Sequence, residues 1–211
     1  MTPPAFSERF VDVGGNRVRY LEAGHGVPVI HVRDGAARVT PAHELLARHF
    51  RVLAIDMPDG SSRTPSASDL ATTLDQVVTR LGIDSFNLIG SSAGAMSALT
   101  LALQAPVRVR ALVLEAPTAI RPERRDADFE RRLAALATPT LILLGTRDDV
   151  VPAAIGSVYK DVLPNSHLVF VYDAAHDISG ARPEAFADVV SDFLERREAF
   201  VISRAATVIH P

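Results

Sequence analysis

The stretch Asn87-Leu88-Ile89-Gly90-Ser91-Ser92-Ala93-Gly94-Ala95-Met96 decides how the rest of the chain is read. An apolar run ends at two glycines that bracket a pair of serines, and small residues follow. Gly90-Ser91-Ser92-Ala93-Gly94 has the spacing G-x-S-x-G with Ser92 at its centre. That spacing suits a sharp, strained strand-to-helix turn that holds the central hydroxyl above a sheet. The flanking positions must be small, because strand and helix backbones approach closely there. The helix start that follows offers free N–H groups and a positive dipole end. A Gly/Ser packing corner or a phosphate-cradling turn shares the spacing, although no Walker-type lysine accompanies it here. Ser91, one residue earlier, is expected to point along the strand rather than at the apex.

Working outward, the chain alternates apolar runs with helical patterns. Phe10-Val11-Asp12-Val13, Gly14-Gly15-Asn16 and Arg17-Val18-Arg19-Tyr20-Leu21 read as a β-hairpin. Pro28–Val32, Arg51–Ile55, Phe86–Ile89, Ala111–Leu114, Thr140–Leu144 and Leu168–Tyr172 read as strands, short and rich in β-branched residues. Continuous apolar runs of this kind predict strands covered on both faces, hence a mostly parallel sheet. Leu70, Leu74, Val77, Val78 and Leu81 mark one face of a helix, with Ser68 as N-cap and Gly82 as its stop. Thr40-Pro41 opens another helix running through Leu45, Leu46 and Phe50, and Pro183 to Phe200 reads as the last long one. Together these predict a doubly wound α/β domain over residues 1–200, followed by a tail over 201–211. Chemistry in such a sheet belongs at the C-terminal ends of its strands.

Composition narrows the class. The chain has 211 residues, 47% hydrophobic and 22% charged, enough for one ordinary soluble domain. A net charge of −3 gives no reason to expect nucleic acid or an anionic membrane as partner. The piece Arg121-Pro122-Glu123-Arg124-Arg125 interleaves acids with its arginines and reads as a solvated surface. Cysteine is absent, which excludes disulfides, thiolate metal sites and a cysteine nucleophile. No signal peptide is visible after Met1, so the expected location is the cytoplasm. No metal or cofactor is expected, because no H-x-x-x-H spacing or paired carboxylate cluster occurs.

A reactive serine needs a general base, and the base an orienting acid. Past Ser92, Leu141-Ile142-Leu143-Leu144 ends in Gly145-Thr146-Arg147-Asp148-Asp149-Val150-Val151-Pro152. Val169-Phe170-Val171-Tyr172 ends in Asp173-Ala174-Ala175-His176, again just past a strand. With these residues the chain resembles the α/β-hydrolases, specifically the small single-domain serine esterases, over about Phe10 to Phe200. The motifs that carry the likeness are Gly90–Gly94, Gly145–Pro152, and Ala175-His176 with Arg182-Pro183-Glu184-Ala185-Phe186. The resemblance implies Ser92 as nucleophile, Asp148 as acid and His176 as base. Asp149 is a rival for the acid, and Glu115, at another strand end, a further alternative. His25, His43, His49, His167 and His210 are placed in loops or on helical surfaces and given no role.

Two departures from the resemblance bear on activity. Relatives usually close the third strand with a His-Gly pair that leads into the second oxyanion donor. Here the strand continues Val29-Ile30-His31-Val32-Arg33-Asp34-Gly35, with Arg33-Asp34 in that place and His31 expected to face the sheet interior or a neighbouring helix. The oxyanion donors expected are the Ala93 N–H and a second backbone N–H from Asp34 or Gly35; the other reading of this departure is a degraded hole. An inward Asp34 carboxylate would repel the developing charge, and an inward Arg33 would stabilise it. Asp56 is expected to bond loop amides. The second departure is length: between Leu114 and Thr140 there is room for about one helix and not a cap domain. The expected activity is hydrolysis of a small carboxylic ester, thioester or lactone. The alternatives are a cofactor-free lyase, isomerase or perhydrolase, and a binding protein that kept the triad. The apolar tail is compatible with a homo-oligomer.

Overall fold

The computed structural model describes residues 4–33, 36–57, 65–121, 123 and 125–200. The hairpin forms from β1 (Ser7–Val13) and β2 (Asn16–Ala23). Its two turn residues, Gly14 and Gly15, both have positive φ, the handedness that matches the twist of paired strands. β3 (Pro28–Val32), β4 (Arg51–Ile55), β5 (Phe86–Ser91), β6 (Val109–Glu115), β7 (Thr140–Gly145) and β8 (Ser166–Val171) complete one eight-stranded sheet. Its order is β1-β2-β4-β3-β5-β6-β7-β8. β2 pairs antiparallel with both β1 and β4, and every later pairing is parallel.

Alternation along the central strands explains their unbroken apolar sequence. Leu88, Ile142 and Leu144 join a core with α2 (Ala67–Arg80), α3 (Gly94–Gln104), α4 (Ala127–Ala134) and α5 (Ile155–Val162). Ile89, Leu141 and Leu143 face the opposite way, into a core with α1 (Pro41–Leu46) and α7 (Pro183–Arg196). Each strand residue thus has a packed apolar side to reach, which is why polar alternation is missing. A four-residue helix, α6 (Ile178–Ala181), precedes α7. Between β6 and β7 the chain forms the single helix α4, as its length predicts.

Three expectations at helix ends are corrected. The N-cap of α2 is Ser66, not Ser68: its hydroxyl accepts the Asp69 N–H at 3.1 Å, while the Asp69 carboxylate returns to the Ser66 N–H at 3.0 Å. This reciprocal pair satisfies two donors that would otherwise be orphaned, and Ser68 has no such partner three residues on. α1 stops at Leu46, and the chain reaches Phe50 by a turn. α7 ends at Arg196; Arg197 has φ 51°, and a short 3-10 turn (Arg197–Ala199) follows. The loop 58–64 and the tail 201–211 lie outside the described residues. Among the described residues no helix is long and apolar enough to cross a membrane.

Candidate active site

β5 lies centrally, between β3 and β6, and its C-terminal end carries the turn quoted above. Ser92 follows the strand directly with φ 52°, a left-handed conformation that costs a non-glycine residue on the order of 1–3 kcal/mol. The turn is held from outside: the Ser92 N–H donates to the Glu115 carbonyl at 2.9 Å, and the Thr118 N–H donates to the Ser92 carbonyl at 3.2 Å. The two flanking glycines are required by close approach. A Cβ on Gly90 would stand 2.6 Å from the Ala98 Cβ, and one on Gly94 would stand 2.6 Å from the Val32 carbonyl oxygen. The second contact shows how tightly the start of α3 packs on the end of β3.

The structure brings Ser92, His176 and Asp148 together from three strand ends. The Ser92 hydroxyl is 2.9 Å from His176 Nε2, and His176 Nδ1 is 2.9 Å from Asp148 Oδ2. The Asp148 side chain is fully buried, whereas His176 remains 28% exposed. Asp148 Oδ1 accepts the N–H groups of Val150 and Val151, each at 2.8 Å, as a capping acid does, while its Oδ2 faces His176. With Asp148 accepting, the proton of the imidazole sits on Nδ1, and Nε2 is free to accept from Ser92. Asp149 makes no contact with His176 among the described hydrogen bonds. The His176 loop begins at Asp173, whose φ of 57° turns the chain and whose carboxylate pairs with Arg147 at 2.8 Å.

Around this pocket the oxyanion donors are only partly described. Among the described residues, the N–H groups of Ala93 and Arg33 donate to no acceptor. Arg33 is the first residue after β3, and its Cα lies 2.8 Å from where a Gly94 Cβ would be. Asp34, expected as the second donor, lies outside the described residues, as does Gly35. Arg33 Nη1 is buried with no hydrogen-bond partner among the described residues. Asp56 bonds the Ala37 N–H at 2.6 Å and also meets Arg19, the loop-bracing part expected of it.

A cavity of about 390 Å³ opens between the loops that follow β6 and β7. Pro117, Ile120, Val151, Ile155 and Val158 supply apolar walls, and Arg121 also lines it. Its walls are tied to the serine and the acid through the Thr118 and Val151 amides described above. Buried Tyr159 braces the same loop, accepting the Ile120 N–H at 2.9 Å and donating to the Pro117 carbonyl at 3.2 Å. Arg125 pairs with Glu130 and Arg131 with Asp128, consistent with a solvated face there; Arg124 lies outside the described residues.

Sequence reading missed a second polar cluster behind the turn. His43, placed on a helical surface, is instead 2% exposed, and it stands between Thr40 and His31. The Thr40 N–H reaches His43 Nδ1 at 2.9 Å, His43 Nε2 is 2.6 Å from His31 Nδ1, and His31 Nε2 is 2.6 Å from the Ser91 hydroxyl. Ser91 in turn bonds Glu115 Oε2, and Glu115 Oε1 accepts the Ser179 N–H at 2.6 Å. Burial, aided by the nearby Arg33 charge, lowers the pKa of His43 to about 4, and His31 is held well below its ordinary value. Burial also pushes the Glu115 carboxyl up, against the opposing pull of its hydrogen bonds from Ser91 and Ser179. Although His31 Nε2 lies 3.9 Å from Glu115, a neutral imidazole makes no ion pair, and the two meet through Ser91. One sequence signal for His43 existed: it lies three residues past Thr40, the position from which a side chain returns to the N-cap amide. Among the described hydrogen bonds Glu115 makes none to His176, whose Nδ1 faces Asp148 instead. Among the described residues no group of three or more His, Cys, Asp or Glu side chains is placed to hold a metal ion.

Comparison with known proteins agrees with this fold. A family model described as alpha/beta hydrolase fold matches residues 40–129, and a second, described as TAP-like protein, matches 108–199. The chain has the α/β-hydrolase fold. Several of the relatives it matches are named as hydrolases, and one is named as an acetyltransferase component of an acetoin cleaving system. It is 28% identical to 2-hydroxy-6-oxo-6-(2'-aminophenyl)hexa-2,4-dienoic acid hydrolase of Metapseudomonas resinovorans, over 96% of this chain and 95% of that one. That alignment runs over 282 positions, so the relative carries segments this 211-residue chain lacks. A 2-hydroxy-6-oxononadienedioate/2-hydroxy-6-oxononatrienedioate hydrolase of Pseudomonas putida is 27% identical over 72% of this chain and 79% of its own. The crystal structure of carboxylesterase CesB from Bacillus subtilis superposes with a TM-score of 0.76 at 18% identity, over 91% of this chain and 92% of that one.

Proposed function

We propose that the protein is a serine hydrolase that cleaves a small carboxylic ester, thioester or lactone through an acyl-enzyme. The observation that carries this reading is the continuous path from Ser92 Oγ through His176 to the buried Asp148, at the sheet edge where such chemistry belongs. His176 Nε2 takes the Ser92 proton as Oγ attacks the carbonyl carbon, and Asp148 stabilises the imidazolium that results. The tetrahedral oxyanion lies against the Ala93 N–H at the start of α3, with a second donor from the turn after β3, where Arg33 and Asp34 follow each other. His176 then hands its proton to the departing alcohol, leaving Ser92 acylated. Water, deprotonated by His176, attacks the acyl carbon; collapse returns the proton to Ser92 and frees the acid. No cofactor takes part.

The cavity beside the turn supports a compact apolar substituent, and its open mouth suits a small substrate. The Metapseudomonas relative is named for a hydroxy-oxo-dienoic acid. The single helix between β6 and β7 gives this chain a different enclosure, so that substrate is not carried over. The protein acts on small molecules in the cytoplasm in this reading, without nucleic acid or membrane as partner; a homo-oligomer through the tail remains part of the proposal. The experiment is incubation with a fluorophosphonate probe and with p-nitrophenyl acetate and butyrate. Labelling that disappears in Ser92→Ala, and turnover lowered by about three orders of magnitude or more in His176→Ala, is the expected result. Labelling without ester turnover would favour a non-hydrolytic enzyme with the same triad. Absence of both would leave a binding protein.

A further inference from the structure

Glu115 stands at a junction that the ester mechanism does not use. It ends β6, the strand next to β5, and it is 1% exposed. Its main chain and side chain reach in two directions. The carbonyl accepts the Ser92 N–H at 2.9 Å, at the turn that bears the nucleophile. The carboxylate oxygen Oε1 accepts the Ser179 N–H at 2.6 Å, three residues past His176 in the first turn of α6. Oε2 accepts from the Ser91 hydroxyl, the residue before Ser92.

The hydrogen bonds behind it run in one direction when His43 Nδ1 is an acceptor. The Thr40 N–H donates to Nδ1 at 2.9 Å, and the Thr40 hydroxyl, 2.8 Å from the same atom, can turn its proton toward it, which leaves the imidazole proton on Nε2. His43 therefore donates to His31 Nδ1, His31 Nε2 donates to Ser91 Oγ, and the Ser91 proton points at Glu115. Both Glu115 oxygens are acceptors at the end of a one-way chain, and no residue in it is left unsatisfied. A protonated or amide side chain at Oε2 would place donor against donor somewhere along the chain. A buried carboxylate without a cationic partner is costly, and an apolar residue of similar volume would fill the space at less expense. Such a group is retained where an arrangement has to be specified.

We propose that Glu115 is a positioning residue that sets the separation of Ser92 and His176, its carbonyl holding the serine turn and its carboxylate holding the loop that carries the histidine. This rests on the reading of Ser92 and His176 as nucleophile and base. The test measures p-nitrophenyl acetate kinetics and hydrogen exchange of segments 91–96 and 176–182 in native protein, Glu115→Leu and Glu115→Gln. A misplacement of about 1 Å costs on the order of a hundredfold, so Glu115→Leu should lose about that factor in kcat with KM within about threefold. Glu115→Gln keeps an oxygen for the Ser179 N–H and should regain about tenfold of the loss. Exchange should quicken at 176–182 in Glu115→Leu while β7 stays protected. If Glu115→Leu does not fold, Ser179→Pro takes its place, with Ser179→Ala as its control: the proline deletes the amide donor as well as the hydroxyl that bonds Asp177, the alanine deletes the hydroxyl alone, and only the proline should reproduce the kcat loss.

A folded Glu115→Leu with native kcat and native exchange at 176–182 would overturn the proposal. So would a loss confined to KM, or a Glu115→Gln no better than Glu115→Leu. Should native protein neither take the fluorophosphonate nor turn over ester, the hydrolase reading fails, and the exchange at 176–182 alone decides the positioning claim. Native turnover with an inert Glu115 substitution is the reverse case.

Discussion

At Ser92 the backbone is left-handed without being glycine, and the two glycines beside it allow this by letting strand and helix close around it. The tighter of the two constraints is Gly94, because its neighbour is the Val32 backbone and not a side chain that could rotate away. Gly94→Ala is therefore expected to cost about 1–3 kcal/mol in urea denaturation. Its effect on kcat should exceed that on stability, because the same shift moves the Arg33 backbone, which lies against the Gly94 position. Comparison of the two measurements on one preparation checks this. The juxtaposition of Ser92, His176 and Asp148 was legible because each follows an apolar run directly and each sits in a short motif. His43 was not, because its role depends on a residue from a distant strand: His31 becomes its neighbour only when β3 and α1 are packed. The segment after β3 was legible as a departure, and among the described residues the Arg33 N–H donates to no acceptor.

Elements were read best where apolar runs are uninterrupted. β3 and β4 have the bounds expected of them, while β5, β6 and β7 extend one or two residues further, into Gly90-Ser91, Glu115 and Gly145. Those extensions are polar or glycine residues whose strand conformation comes from their neighbours in the sheet, which local propensity does not register. Helix ends erred for the opposite reason, since caps are local but depend on a specific partner. Ser66 and Asp69 form the reciprocal pair at α2, and Ser66→Ala should lower stability by about 1 kcal/mol. The same substitution should leave ester turnover unchanged, which denaturant titration and kinetics on the variant will show.

For the whole molecule, the buried histidines couple folding to pH. His43 titrates near 6.5 when unfolded and at about 4 when folded, so between these values the unfolded chain binds the extra proton. Stability therefore rises with pH across that window and is lost as pH falls through it, by about 3 kcal/mol for this group alone. His31 acts in the same sense. Glu115 acts in the opposite one: its raised pKa makes the folded state the better proton binder from about 4.5 upward, opposing part of the loss. Thermal unfolding followed from pH 7 to pH 4 should show a falling Tm, and His43→Asn should flatten that slope while starting from a lower Tm. A slope identical to native in that variant would remove His43 from the account.

The one-way chain from Thr40 to Ser179 also has a temporal side. Its bonds join residues 60 apart between His31 and Ser91, and 64 apart between Glu115 and Ser179. Long-range closures of this kind come late in folding, because the loop entropy must be met before the contact forms. During synthesis the serine turn can form once β6 has emerged, yet the carboxylate beneath it has no second donor until α6 leaves the ribosome. A nascent chain ending short of His176 would hold Ser92 in its turn without the imidazole it meets in the folded protein. On the proposed reading, reactivity would then switch on only as the final strand and helix dock.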